Sequence, residues 1–474
     1  MEKAENIDKK AAKAGLWYTV GNMMLKGAAF LSLPIFTRLL STTDFGIYNT
    51  YIAYEQILTA IIGLGMYGTV KSAKIDWKER FGEYISSIIS LIVMAFIVLL
   101  AATNILDPII ALITGYSRFI HNCLLLQSFG AALLFFYGAT LNVEFRYKSF
   151  LSLAAFNTLG NIVVSIVLIL FVFPYERYLG RILGSAAPLI VISIIVILVS
   201  FCRGKVLYSK KYWKYALLIG LPLVPHVISQ SLLSQFDRIM IKDMVGASEA
   251  GIYSYIYTIC TILAVVSSSL ENAWNPWVFL SINEGHQKKV KNASKDYIAL
   301  FSILSIGFMC VMPEVTKLFA GADYWSGIRL IFPITIGNYF IFLYMLPVNI
   351  EYYHKKTLFI SIGTISAAAV NVVLNYIGIK LFGYEAAAFT TLLSYGLLFA
   401  FHWIIACKYN VEEVYEIKTI LKNVVVVAVT GVVLMLLDSR FVIQTIVRYG
   451  IVLLIFIFLI LNRRKLIGVL KREK

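Results

Sequence analysis

The sequence predicts an all-α polytopic membrane protein of about fourteen transmembrane helices. Three observations carry this expectation. Of the 474 residues, 59% are hydrophobic and only 14% are charged, with a mean hydropathy of +0.80; a soluble chain carries about a quarter charged residues. Apolar runs long enough to cross about 30 Å of hydrocarbon recur from one end of the chain to the other. The 42 Lys and Arg residues behind the net charge of +16 fall in short clusters between those runs. Such clusters mark loops on one side of a membrane and do not form the continuous basic face of a nucleic-acid groove.

Taken in order, the candidate spans lie near 14–37, 45–70, 83–103, 119–143, 150–173, 181–201, 215–238, 250–280, 296–316, 328–350, 357–378, 385–406, 418–437 and 441–461. The segments near 104–118 and 315–328 read as loops. With the amino terminus inside, the basic clusters alternate correctly at every loop of substance. Lys3, Lys9, Lys10 and Lys13 are followed by Lys71, Lys74, Lys78 and Arg80, then by Arg203, Lys205, Lys210, Lys211 and Lys214. The tail adds Arg463, Arg464, Lys465, Lys471, Arg472 and Lys474. An even span count with both termini cytoplasmic follows from this alternation. The first run is too long for a cleavable signal and leads directly into the multi-span pattern, so none is expected. Cys123, Cys202, Cys260, Cys310 and Cys407 are scattered without a C-x-x-C pair, which predicts neither a disulfide framework nor a metal site.

An internal repeat divides the chain. Gly46-Ile47-Tyr48 after the first span matches Gly251-Ile252-Tyr253 after the seventh, and Ile57-Leu58 matches Ile262-Leu263 at the same offset. Asn157-x-x-x-Asn161 in span five is echoed by Asn371-x-x-x-Asn375 in span eleven. Both matches join spans six apart, and an even spacing makes the repeat parallel. The expected organisation is a six-helix lobe over 1–204, a second over 205–410, and two extra helices with a basic tail over 411–474.

Several of these motifs, taken together in order, resemble a known family. Lys26-Gly27, Leu33-Pro34-Ile35-Phe36-Thr37-Arg38-Leu39-Leu40-Ser41 and Asp44-Phe45-Gly46-Ile47-Tyr48 are similar to the opening of bacterial polysaccharide-biosynthesis flippases of the O-antigen type, members of the multidrug/oligosaccharidyl-lipid/polysaccharide exporter superfamily. Asp237-Arg238-Ile239-Met240-Ile241, Val245-Gly246-Ala247, Ala273-Trp274-Asn275-Pro276 and Gly383-Tyr384-Glu385-Ala386-Ala387-Ala388 continue the resemblance over essentially the whole chain. It implies two lobes around a central V-shaped cavity in a bacterial cytoplasmic (inner) membrane. It implies flipping of an undecaprenyl-pyrophosphate-linked oligosaccharide from the cytoplasmic to the outer leaflet. Glycosyltransferases and a polysaccharide polymerase would be the partners, and the last two helices would lie beside a groove for the lipid tail.

Charged groups inside spans cost about 2.5–3.5 kcal/mol on insertion scales and face protein or water-filled cavities. Lys26 lies 12 residues before Arg38 and Glu55 lies 10 after Phe45, so both sit about 15–18 Å below the same hairpin at 1.5 Å per residue. They are read either as a structural ion pair or as a phosphate-binding cation with its resting counter-ion. Arg38 and Arg238 close the outer ends of spans one and seven, either reaching towards the interface or facing the cavity mouth. Adjacent residues on a helix point apart, so Asp237 and Arg238 are not expected to pair. Arg448 lies about two turns into span fourteen, with interfacial reach or a neighbouring lipid tail as the alternatives. Glu271 precedes Pro276, which should kink its helix. His226 follows Pro222 and Pro225 and is the candidate for proton coupling. The substrate-binding candidates are therefore Lys26, Arg38, Glu55, Asp237, Arg238 and Glu271, with His226 for coupling and Arg448 for the lipid tail.

Walker, H-E-x-x-H and G-x-S-x-G motifs are absent, so no ATP hydrolysis, metal or other cofactor is expected. Coupling to proton, sodium or membrane potential stays open, and a transporter is expected rather than an enzyme. A multidrug/toxin cation antiporter would favour surplus carboxylate within the spans, whereas Lys26 balances Glu55. A membrane-embedded glycosyltransferase or polymerase would need a sizeable extramembrane loop. The orientation is open to direct measurement. Single cysteines placed near 104–118 and 318–327 should react with an impermeant maleimide on intact cells, and those near 205–211 and 286–292 only after permeabilisation. Labelling in the opposite sense inverts the topology.

Overall fold

The computed structural model describes residues 21, 24, 27, 28, 30–437 and 441–461. Those residues are helical nearly throughout, with no strand among them. They divide into two compact units, Met1–Gly251 and Ile252–Lys474. The first holds α1 (Leu33–Leu39), α2 (Thr42–Gly63), α3 (Val70–Asp76), α4 (Phe81–Ile105), α5 (Asp107–Thr114), α6 (Arg118–Val143), α7 (Tyr147–Val167), α8 (Arg177–Gly204), α9 (Lys210–Gly220) and α10 (Val224–Met244), and the opening turn of α11 (Ala247–Asn283). The second holds the rest of α11 with α12 (Gln287–Phe319), α13 (Ile331–Tyr353), α14 (Thr357–Phe382), α15 (Ala386–Cys407), α16 (Val411–Val414), α17 (Ile417–Leu436) and α18 (Phe441–Leu461).

The protein is an all-α polytopic membrane protein. Eleven helical segments among the described residues are long and apolar enough to span a bilayer. The predicted count of about fourteen is completed by three more. Half of the first span lies outside the described residues. The helix α2 carries Thr, Asn, Tyr and Glu residues that lower its hydropathy, and α18 is described only to Leu461. Large apolar side chains such as Leu112, Phe171, Ile105 and Phe382 are exposed, which is stable only where the surrounding solvent is itself apolar.

Local chemistry sets where the helices stop and start. Ser41 caps α2 in a reciprocal box: its hydroxyl accepts from the Asp44 amide at 3.1 Å while its own amide donates to the Asp44 carboxylate at 3.2 Å. This satisfies amides that would otherwise be orphaned at the helix start. At the other end Leu64 and Gly65 both turn left-handed, at φ 48° and 69°, so the predicted second span ends at Gly63 rather than near 70. The expected loop at 104–118 holds α5, begun by Asp107-Pro108 and stopped by the left-handed Gly115. The 315–328 loop runs into a 3-10 turn at Ala322–Leu330. Between α9 and α10 the chain passes through a 3-10 turn at Leu221–Leu223, where Pro222 and Pro225 remove two amide donors. Helix α11, in contrast, continues through Pro276 without interruption.

In the first unit α2 packs along α10 and against α6, and a core of Tyr84, Ile88, Leu133, Phe136 and Val196 joins α4, α6 and α8. Two glycine contacts bring backbones together. A Cβ on Gly46 would lie 1.8 Å from the Ala247 carbonyl oxygen, and one on Gly251 would lie 1.9 Å from that of Thr42. The glycines of the two repeated motifs thus approach each other's helix reciprocally, with Thr42 and Ser248 hydroxyls 2.8 Å apart beside them. At the far end of α2 a Cβ on Gly65 would fall 2.2 Å from the Gly220 carbonyl oxygen. Between apolar helices in lipid, close approach of this kind replaces the hydrophobic drive that is missing. Gly46→Ala and Gly251→Ala should each lower stability by about 1–3 kcal/mol through overpacking. Gly450→Ala, where nothing lies within 4 Å, should be neutral; thermal unfolding in detergent measures all three.

Candidate functional site

The first unit contains a polar stripe through an otherwise apolar bundle, and it starts from residues one helical turn apart. On α2, Tyr48, Tyr51, Glu55 and Thr59 share one face at i, i+3 and i+4 spacing. Glu55 is buried and accepts from the Thr59 hydroxyl at 3.1 Å. Tyr51 donates to the Gln127 side-chain carbonyl of α6 at 3.1 Å, and that carbonyl also accepts from Ser185 of α8 at 3.0 Å. One turn from Ser185 on α8 is Arg181. Its guanidinium lies 3.9 Å from the ring centroid of Phe36 and 4.3 Å from that of Tyr48. It also donates to Ser165 at 2.7 Å and to the Asn161 carbonyl, both on α7.

Four helices therefore converge on the Arg181 cation, and among the described residues no carboxylate lies within ion-pair distance of it. Two aromatic faces and two neutral oxygens hold the guanidinium in place without cancelling its charge. Sequence reasoning passed over Arg181 because it stands at the edge of its apolar run, where a basic residue reads as part of a loop. The usable signal was Asn161 and Ser165, four apart on the preceding helix.

The predicted site residues fall in several environments. Lys26 lies outside the described residues. Arg38 is exposed on the last turn of α1. Asp237 and Arg238 are both buried on α10. The expectation that they point apart needs correction: the Arg238 guanidinium folds back along its own helix, donating to the Ser234 carbonyl at 2.9 Å and to Gln235. This brings it to 4.0 Å from an Asp237 oxygen, the outer limit of an ion pair. His226 sits in the first turn of α10 with a buried Nδ1 that has no hydrogen-bond partner.

In the second unit, Glu271 on α11 accepts from Ser267 at 2.6 Å. One turn on, Trp274 stacks on Tyr297 at 4.1 Å and donates its indole N–H to the Tyr415 hydroxyl at 3.3 Å. Asn349 donates to the neighbouring Asn275 at 2.7 Å. Asn371 donates to Thr391 and Ser394 at 3.2 and 3.3 Å, and Asn375 donates to Asn371, so the Asn pair of α14 is absorbed by α15. Arg448 does not reach towards an interface. It is 1% exposed, and Glu314 of α12 holds it through two nitrogens at 2.6 Å each, with the Cys310 carbonyl at 3.2 Å. A guanidinium two turns inside a span is better satisfied by a carboxylate one helix away than by stretching to water.

Residues 11–282 match the family model described as polysaccharide biosynthesis protein. The chain belongs to this family. A protein of the Lsg locus of Haemophilus influenzae is 25% identical over 404 residues, which cover 79% of this chain and 94% of that one. Among solved structures, the lipid II flippase MurJ in an inward closed conformation superposes with a TM-score of 0.71 at 16% identity, covering 95% of this chain and 99% of that one. An inward-facing multidrug resistance transporter of the MATE family, in the MOP superfamily, gives 0.66 at 14% identity, covering 82% and 95%. The chain thus has the fold of both.

The Arg448–Glu314 pair predicts an asymmetry. Arg448 is far more deeply buried than Glu314, whose side chain is 38% exposed. Glu314→Gln leaves a desolvated cation and should cost about 3 kcal/mol. Arg448→Met leaves a carboxylate that water can reach and should cost less. Thermal unfolding of the two variants in detergent checks the order.

Proposed function

We propose that the protein is a flippase. In this reading it moves an oligosaccharide carried on undecaprenyl pyrophosphate from the cytoplasmic to the outer leaflet of a bacterial inner membrane by alternating access. The observation that carries the reading is Arg181, a guanidinium held inside the first unit by rings and neutral oxygens, with no carboxylate among the described residues within ion-pair distance. A site of that kind is prepared for an anion, and a pyrophosphate supplies the geometry that a guanidinium binds best. Lys26, the other candidate cation from the sequence, lies outside the described residues. Family membership and the exporter fold support the same direction. With basic loops inside, membrane potential alone favours outward movement of an anion by about 2.3 kcal/mol per charge per 100 mV. Glycosyltransferases would build the substrate on the inner leaflet, and a polymerase would consume it on the outer.

A second reading rests on Glu55, a buried carboxylate bonded to a hydroxyl, which suits the cationic ligands of a multidrug antiporter. Reconstituted vesicles separate the two. Arg181→Gln should slow flipping of a fluorescent polyprenyl-pyrophosphate oligosaccharide by about 10-fold or more, the equivalent of one lost charge-assisted hydrogen bond. Arg181→Lys should retain part of the rate, and both should unfold at nearly the parent temperature. An Arg181→Gln protein that flips normally refutes the anion site. Efflux of an organic cation that is lost in Glu55→Gln and kept in Arg181→Gln would establish the antiporter instead.

A further inference from the structure

The second unit buries an acid–base pair that the anion site does not use. Glu351 lies in the last turn of α13 and His402 near the end of α15, the two helices running packed against each other. Both side chains are 0% exposed, and the His402 Nδ1 is 2.8 Å from a Glu351 oxygen. The other two polar atoms of the pair, Glu351 Oε2 and His402 Nε2, are buried and have no hydrogen-bond partner. The reason is visible in the packing. The imidazole is covered on one side by the Tyr344 ring at 6.0 Å and on another by the edge of Phe401 at 5.3 Å. Its Nε2 faces α14 at Gly363, where a Cβ would lie 2.7 Å away.

No basic residue balances the pair. Among the described residues no Lys or Arg lies within ion-pair distance of Glu351 or His402. The titratable neighbours on α13 are Tyr344, Tyr352 and Tyr353, with His354 just past its end stacked on Tyr409, and on α15 they are Cys407 and Tyr395, which stacks on Tyr344. The first four turns of α14, residues 357–370, carry none. From α12, Lys291 donates to the Glu412 carbonyl of α16 and Lys295 pairs with Glu416, which precedes α17. In the α13–α14 turn, Lys356 lies over the Tyr409 ring, with Lys355 beside it, and Lys418 of α17 has no ion pair with the dyad.

We infer that Glu351 and His402 form a one-proton binding site through which transport is coupled to a proton gradient. Two polar atoms without partners, one on each member, are the two places a proton can be added. With imidazole neutral and glutamate ionised the pair carries one uncompensated negative charge inside an apolar bundle, and one proton cancels it. The step is a proton transfer alone: solvent donates a proton to nitrogen or oxygen, an N–H or O–H bond forms, and the same bond breaks when the proton leaves. A sodium ion would cancel the charge equally, but an imidazole nitrogen is a poor ligand for a hard cation. The sequence offered His226 for coupling and did not mark this pair.

The proton site stands on its own geometry, whereas its link to transport rests on the flippase reading, so two measurements are needed. The first uses full-length protein in nanodiscs without substrate, recording infrared difference spectra between acidic and alkaline buffer at fixed sodium. The parent should show carboxyl or imidazole bands that are absent from Glu351→Gln and from His402→Gln. Spectra identical in parent and variants, or bands that follow sodium rather than pH, overturn the proton site. Using two variants guards against the misfolding of either one, and unfolding temperatures identify a misfolded protein. The second measures flipping of the fluorescent polyprenyl-pyrophosphate oligosaccharide with and without an imposed pH gradient. The gradient should accelerate the parent several-fold and leave Glu351→Gln unaffected. Equal acceleration in both overturns the coupling. A parent that flips nothing while its dyad bands persist refutes both the flippase reading and the transport link, and leaves the proton site intact.

Discussion

A charge inside hydrocarbon has to find its counter-charge or its hydrogen bonds within the helix bundle, because the solvent offers none. That constraint organises both units. It draws Arg448 onto Glu314 and so fixes α18 to α12. It folds Arg238 back on its own helix beside Asp237. It gathers Tyr51, Gln127 and Ser185 into one bonded set across three helices. Where the constraint is met only in part, at Arg181 and at the Glu351–His402 dyad, the incomplete satisfaction is what suggests a ligand. A structural polar group is best served by saturation, and a binding group must keep some capacity unused.

Helix contact in the same environment cannot rely on excluding water. The backbone therefore approaches wherever side chains are small enough to allow it. The reciprocal fit of Gly46 and Gly251 turns a sequence repeat into a physical contact: each glycine supplies the gap filled by a carbonyl one turn before the other, that of Ala247 or Thr42. The Ser41–Asp44 box fixes the start of α2 just before that crossing, so cap and close approach set the helix in register with α10 and the opening turn of α11. Farther along, Gly65 and Gly220 repeat the arrangement where α2 ends and α9 gives way to a proline-broken turn.

The functional reading grows out of this distribution of charge. The unit that holds α1 to α10 keeps a cation among rings and amides, and the unit that holds α12 to α18 keeps an acid–base pair among aromatic and aliphatic side chains. In the proposed reading these settings complement an anionic lipid-linked substrate and a proton. The exporter fold shared with a lipid II flippase and a multidrug transporter is compatible with either cargo. The Arg181 cation, more than the fold, is what supports the proposal of a lipid pyrophosphate.

The amino-acid sequence by itself determined the class of the protein and, α2 and α12 excepted, the positions of the described spans to within a few residues. A slab of hydrocarbon about 30 Å thick imposes its length on every apolar run, and Gly, Pro and Ser mark the ends through local backbone chemistry that needs no partner. Tertiary structure decided the sites. Arg181 meets Phe36, Tyr48, Asn161 and Ser165 from three other helices, Arg448 meets Glu314 across 134 positions, and His402 meets Glu351 across 51. Helical periodicity says which residues share a face but not which face meets which neighbour. That choice depends on helix rotation and crossing, set by the summed volumes of many side chains packed at once.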